Sequence, residues 1–219
     1  TGVVLVTGPT GSGKTTTLYA SLHKLNQPDT KLITVEDPVE YQLNGINQVQ
    51  IQHDIGWNFS RALRAILRQD PDIIMVGEIR DSETAEIAIK SALTGHLVFS
   101  TLHTNDAPSA FLRLVDVGVK PFLVASGVRA VLGQRLVRVI CSHCKVPVVY
   151  PDSYLVESGL KPEEWRDVTF YEGAGCFECG GTGFRGRTAI CELLDLTERI
   201  REMILDKRPT SEIKRVARE

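Results

Sequence analysis

Residues 8 to 15 read Gly8-Pro9-Thr10-Gly11-Ser12-Gly13-Lys14-Thr15, the pattern G-x-x-x-x-G-K-[ST]. That pattern suits the binding of a triphosphate. Its glycines let backbone N–H groups approach phosphate oxygens, and a helix starting there adds the positive end of its dipole. Lys14 is expected to reach the β- and γ-phosphates, and the Thr15 hydroxyl to hold Mg²⁺. Further along, Glu36 and Asp37 stand just before Pro38, and Glu78 follows Gly77. A carboxylate at the end of an apolar strand can orient water or hold a hydrated Mg²⁺. Glu36 is expected to orient or deprotonate the attacking water and Glu78 to hold Mg²⁺ through water, with the two roles exchangeable on sequence alone. His96 and His103 bracket another apolar run and are candidate phosphate-sensing groups. Cys141-Ser142-His143-Cys144 and Cys176-Phe177-Glu178-Cys179 form two C-x-x-C knuckles. Four thiolates paired in this way suit tetrahedral Zn²⁺ with no open position, so the site reads as structural rather than catalytic.

These groups need elements to hold them. Val3-Val4-Leu5-Val6 reads as a buried strand. Lys14 to Leu25 reads as a helix with Leu18, Leu22 and Leu25 at helical spacing. Leu32-Ile33-Thr34-Val35 is a second strand, ending in Glu36-Asp37-Pro38. Arg61 to Gln69 is helical, with Leu63, Ile66 and Leu67 on one side and Arg61, Arg64 and Arg68 on another, and Asp70-Pro71 stops it. Ile73 to Val76 is a third strand. Ser82 is the expected N-cap of a helix over Glu83 to Leu93. Leu97 to Leu102 is a fourth strand, expected beside the first and followed by His103-Thr104-Asn105.

This alternation predicts an α/β fold, a parallel sheet with helices on both faces. Ligands of such sheets bind beyond the carboxyl ends of the strands. Lys14 and Thr15, Glu36 and Asp37, Glu78, and His103 all follow such ends, so they are expected to converge on one nucleotide. A typical acidic strand in a P-loop protein ends in Asp; here Gly77 takes that place, and Glu36 or Asp37 is expected to supply the second carboxylate. His23 and His53 read as ordinary surface residues. The arginines at 61, 64 and 68 form either a solvated face or a source of positive charge for a neighbouring subunit's γ-phosphate.

The gap between the cysteine knuckles, residues 145 to 175, is longer than usual, and an inserted helix or hairpin would fill it. His143 lies inside a knuckle and is not expected to be a ligand. Cys191 reads as a small buried apolar residue. Cys176 to Gly183 also fits the C-x-x-C-x-G-x-G repeat of J-domain chaperones, but it occurs once and the first knuckle lacks matching glycines. Thr197 to Lys207 and Thr210 to Arg218 read as two short helices separated by Pro209. The expected organisation is an ATPase core over 1–138, a tetracysteine module over 139–186 and a C-terminal strand and helical segment over 187–219.

The chain has 219 residues, 42% hydrophobic and 24% charged, with a net charge of −2. That balance is globular and does not favour a nucleic-acid partner. No apolar stretch is long enough to span a membrane. The sequence opens at Thr1, directly on the P-loop strand, without Met or a signal peptide, and reads as an excised fragment.

Taken together, the chain resembles the C-terminal ATPase region of the type II secretion and type IV pilus assembly traffic ATPases. Gly8 to Thr17, including Thr16, resembles that family's Walker A segment. Ile33 to Tyr41 is similar to its acidic Asp box, and Leu67 to Asp81 to its atypical Walker B, which accounts for Gly77. Gly95 to Asn105 resembles its His box, and the tetracysteine segment with Thr182 to Arg187 is similar to the assembly branch. The resemblance implies a RecA-like core, ATP with Mg²⁺ and structural Zn²⁺, and a homohexameric motor extending a pilus or pseudopilus. It implies a cytoplasmic location, peripheral at the inner membrane through platform and assembly proteins. It also implies that arginines complete the site near a subunit boundary, with Arg113 and Arg135 as local candidates. Other readings left open are a DNA-uptake or DNA-translocating motor on the same core and a nucleotide-gated scaffold.

Overall fold

The computed structural model describes residues 1–218. Its elements follow the chain as β1 (Gly2–Thr7), α1 (Lys14–Leu25), β2 (Leu32–Glu36), β3 (Asn47–Gln50), α2 (Phe59–Ile66), β4 (Ile73–Val76), α3 (Ser82–Leu93), β5 (Leu97–Leu102), α4 (Ser109–Asp116) and α5 (Pro121–Gly127). Then come β6 (Val128–Ile140), β7 (Lys145–Val148), α6 (Asp152–Glu157), α7 (Pro162–Trp165), β8 (Phe170–Gly173), β9 (Phe184–Asp195), α8 (Glu198–Leu205) and α9 (Thr210–Val216). The chain divides into two compact units, one formed by 1–135 with 190–219 and the other by 136–189. The boundary falls within β9, so its residues from Ile190 onward and the helices after it group with the first unit.

A seven-stranded sheet has the order β3-β2-β4-β5-β1-β6-β9. The pairs β1–β5, β1–β6, β2–β3, β2–β4 and β4–β5 are all parallel. The expected neighbour relation of β5 and β1 holds. Strand residues alternate between two apolar layers, as the two-residue period of a strand requires. Leu5, Ile33, Val35, Ile74, Val76 and Val98 pack with α2, α3, α4, α5, α8 and α9. Val6, Leu32, Ile73, Met75 and Phe99 pack with Leu18, Tyr19 and Leu22 of α1. With helices on both faces, nearly every buried strand position is apolar. The exceptions are Thr7, Thr34, Glu36, Ser100 and Thr101, at or near strand ends where the chemistry sits, and Gln134 within β6.

The helix expected over 61–69 starts two residues earlier, capped by Asn58, whose side chain accepts from Arg61 N–H at 3.0 Å. Its last turn tightens into a 3₁₀ segment, Leu67–Gln69, before Asp70 turns left-handed. The cap of α3 is Asp81 rather than Ser82: Asp81 Oδ1 accepts from Thr84 N–H at 2.8 Å. A carboxylate at that position also complements the helix dipole, which a serine would not. Cys191 is exposed, not buried as its sequence context implied. It lies on β9, the last strand in the sheet order, where residues 185–193 are exposed on both faces.

The second unit holds the antiparallel pair β7–β8, in which Lys145 opposes Gly173, and the short helices α6 and α7. The long gap between the knuckles is therefore filled by both a hairpin and helices. Tyr150, Tyr154, Trp165 and Phe170 make a chain of ring contacts with centroids 4.8 to 6.0 Å apart.

Candidate nucleotide site and tetracysteine centre

The P-loop joins the carboxyl end of β1 to the start of α1. Gly13 caps α1 at φ 85°, a left-handed conformation that a β-carbon disfavours. Gly8 meets a second constraint, because a β-carbon there would lie 2.3 Å from the Gln134 carbonyl and 2.6 Å from Ser12 Oγ. Pro9, Thr10 and Gly11 form the exposed crest, while Ser12 and Lys14 are buried. Lys14 Nζ donates to the Gly8 and Pro9 carbonyls at 2.9 and 3.1 Å, which holds the ammonium against the loop. Burial pushes the Lys14 pKa down, and the negative charge of Glu78 opposes that shift. Thr15 is half-buried at the first turn and Thr16 is exposed beside it. Among the described residues, Ser12 Oγ is the buried side-chain polar atom without a hydrogen-bond partner. An orphaned donor inside a loop of this composition fits a phosphate ligand.

The loop is braced by a residue that the motif does not include. Gln134, in β6, is buried; its Nε2 donates to the Ser12 carbonyl at 2.8 Å, and its Oε1 accepts from Thr17 at 2.7 Å. No local pattern marks it, because Gln134 is one of four polar residues in β6, with Arg129, Arg135 and Arg138.

Glu78 sits beyond β4, where it pairs with Arg80 and lies 3.7 Å from His103 Nε2. Two hydroxyls of β5 fix the turn that carries it: Ser100 donates to the Val76 carbonyl at 2.8 Å and Thr101 to the Gly77 carbonyl at 2.7 Å. Gly77 N–H donates to the Val35 carbonyl at 2.8 Å. A β-carbon on Gly77 would stand 3.3 Å from that carbonyl and 3.5 Å from Glu36 Cα, so β2 passes close to the glycine that stands where Asp was expected. Burial lowers the His103 pKa first, the Lys14 charge lowers it further, and Glu78 acts the other way. Lys14, Glu78, Arg80 and His103 therefore share one electrostatic neighbourhood at the P-loop end of the sheet.

Glu36 is placed differently. It is 3% exposed and lies on the α1 side of β2. Its Oε1 accepts from Thr34 at 2.5 Å and from Gln48 at 3.1 Å, and its Oε2 accepts from the Tyr19 hydroxyl. Burial and this carboxylate together push the Tyr19 pKa upward. Asp37 instead lies 2.9 Å from His53 Nε2 and adds to the field at Arg80. His96 is not brought to the P-loop. It precedes β5, whose length of roughly 17 Å separates it from His103, and its Nδ1 lies 2.8 Å from the Ser91 carbonyl at the end of α3. Arg64 pairs with Glu83 at 2.7 Å, Arg61 lies over Trp57, and Arg68 donates to the Arg64 carbonyl. Arg113 is exposed on α4, and Arg135 donates to the Asn105 carbonyl at 3.0 Å.

In the second unit, Cys141, Cys144, Cys176 and Cys179 place their sulfurs within 4.8 Å of one another. Three of those separations are 3.9, 3.9 and 3.7 Å. A Zn–S bond of about 2.3 Å in a tetrahedron gives an S···S edge of about 3.8 Å, so the four thiols fit a closed Zn²⁺ cage. His143 is exposed and outside the cluster. Although burial opposes it, N–H groups of Cys176 and Gly183, each 3.2 Å from Cys179 Sγ, help bring that thiol down to about 6. The knuckles approach through glycines: a β-carbon on Gly173 would lie 2.0 Å from the Gly183 carbonyl.

Residues 1–219 match the profile of the family described as Type II/IV secretion system protein. Over 217 residues the chain is 53% identical to the type IV pilus assembly ATPase PilB of Myxococcus xanthus, covering 99% of this chain and 38% of that protein. It is 52% identical to type II secretion system protein E of Pseudomonas aeruginosa, again over 99% of this chain and 43% of the other. The chain thus spans less than half the length of these relatives. Among solved structures, the pilus retraction motor PilT with bound ADP superposes with a TM-score of 0.70 at 32% identity, covering 98% of this chain and 53% of that one. The ATPase DotB of Legionella pneumophila gives 0.68 at 27% identity, covering 100% of this chain and 52% of that one. No helix among the described residues is long and apolar enough to cross a membrane.

Proposed function

The chain belongs to the Type II/IV secretion system protein family, and from that premise we propose that it is the ATP-hydrolysing part of a motor for pilus assembly or type II secretion. The observation that carries this reading is the grouping of Lys14, Glu78 and His103 beside a P-loop at the carboxyl end of a parallel sheet. P-loop residues from Gly8 to Thr16, through backbone N–H groups at every position but Pro9, and the Lys14 ammonium hold the phosphates. The Thr15 hydroxyl would hold Mg²⁺, which supplies charge neutralisation at the transferring phosphoryl group. Glu78 orients the attacking water or accepts its proton, and His103 senses the γ-phosphate. The roles expected from the sequence are thereby exchanged: Glu36, with both oxygens committed to Tyr19, Thr34 and Gln48, gives up the water to Glu78 and shapes the acidic loop from behind. Asp37 supplies the second negative group at that strand end.

Zn²⁺ on the four cysteines is structural in this reading. The motor is a homohexamer at the cytoplasmic face of the inner membrane, acting through platform and assembly proteins.

ATP turnover tests the reading. Glu78→Gln keeps ATP binding and loses ~10²–10⁴ in rate, the usual worth of a positioned acid–base group. Turnover of that variant near the wild-type rate overturns the role of Glu78. Tight ATP binding with no turnover in the assembled wild type overturns the motor in favour of a nucleotide-gated scaffold. Strong salt-dependent DNA binding favours the DNA motor instead.

A further inference from the structure

The loop from His103 to Pro108, between β5 and α4, is tied down at each of the four residues from Thr104 to Ala107. Thr104 N–H donates to Thr7 Oγ1 at 3.0 Å, and the two threonine hydroxyls are 2.6 Å apart, which anchors the loop to the strand that leads into the P-loop. Arg135 donates to the Asn105 carbonyl at 3.0 Å. Asp106 Oδ1 accepts from Ser109 N–H at 2.9 Å just ahead of α4, while its Oδ2 lies 2.7 Å from Lys214 Nζ of α9. Ala107 N–H donates to Glu192 Oε1 of β9 at 2.6 Å.

Two of these tethers come from the last strand and the last helix of the chain. Room for one of them is built into the sheet. Gly133 pairs with Thr7, and a β-carbon there would lie 2.7 Å from Glu192 Oε1. A larger residue at 133 would expel the carboxylate from its place over the loop.

We infer that Glu192 and Lys214 are positioning residues that set His103 against Glu78 and link the nucleotide site to the C-terminal strand and helix. Loops at ligand sites are ordinarily mobile, and a sensor has to hold its imidazole steady. Linkage runs both ways, so a shift of His103 on loss of the γ-phosphate also pulls on β9 and α9. The Asp106 carboxyl supports a formed pair: burial opposes it, yet hydrogen bonds from Lys214 and Ser109 hold it below its ordinary range.

The inference rests on His103 as the γ-phosphate sensor, and a double-mutant cycle in the assembled ATPase separates the two. Lys214→Ala is expected to lower kcat about 10-fold with ATP KM within about 3-fold, the pattern of a lost transition-state alignment. Lys214→Arg, which keeps the charge, restores most of the rate. In a His103→Ala background the Lys214→Ala change adds nothing further, because both act on one group. If the two losses multiply, or if Lys214→Ala turns over at the wild-type rate while His103→Ala is impaired, the inference fails and the sensor reading stands. If His103→Ala is itself unimpaired, the sensor reading fails and this inference with it.

Discussion

On the proposed reading, with Zn²⁺ on the four cysteines, removing the metal is expected to unfold the second unit and leave the first standing. Within 136–189, the apolar side chains in the buried class are Cys141 at 0% and Leu155 at 6% exposure. Full burial of one leucine contributes roughly 1.5–3 kcal/mol. A structural Zn²⁺ contributes roughly 10–16 kcal/mol of apparent folding energy in small modules. The metal term is therefore several times the term from fully buried side chains, and none of the rings in the aromatic chain around Tyr150 is fully buried.

Tryptophan fluorescence gives the readout, because the chain has two tryptophans, Trp57 in the first unit and Trp165 in the second. In a Trp57→Phe background, a chelator with reductant shifts Trp165 emission to the red and opens residues 145–175 to protease. Thiol labelling gives a second count. Exposed Cys191 reacts at once, and the four caged cysteines react only after chelation. An unchanged Trp165 spectrum and unchanged protease resistance, with zinc removed and the thiols still reduced, would refute the reasoning. The unit would then stand on its own packing.

Tyr19→Phe removes the hydroxyl that donates to buried Glu36 and accepts from Glu40 N–H. The cost should be roughly 1.5–3 kcal/mol, as for hydrogen bonds to charged groups, and urea unfolding measures it; no change in the midpoint would show that the network is not a stabilising one. His103 has its pKa depressed, so the folded state binds fewer protons than the unfolded chain just below pH ~6.5. Its contribution to stability is complete above that pH and is lost as the pH falls toward the depressed value. His103→Gln should flatten that part of the stability profile, and a profile identical to wild type between pH 5 and 7 would count against it.

What the sequence determined by itself is local. The P-loop works through consecutive backbone N–H groups, so its eight residues carry their own geometry. Each C-x-x-C knuckle likewise sets two thiols by a short turn, and only the meeting of Cys141 with Cys176 and of Cys144 with Cys179 needs the fold. The alternation of apolar strands and amphipathic helices fixed a parallel sheet and the end at which ligands gather. That direction also separates His103 from His96, since the two cap opposite ends of one strand.

The tertiary structure decided the partners. Glu36 and Glu78 look alike in the sequence, each an acid closing an apolar run. Strand register turns Glu36 toward Tyr19 under α1, while the hydroxyls of Ser100 and Thr101 hold the turn that presents Glu78 to His103. Gln134, Glu192 and Lys214 reach the site across gaps that no local pattern encodes. Cys191 is exposed because β9 is the sheet's edge, which is a property of strand order. Short-range spacing dictates backbone shape, but which side chains meet depends on how distant strands stack, and that is settled only when the whole core packs.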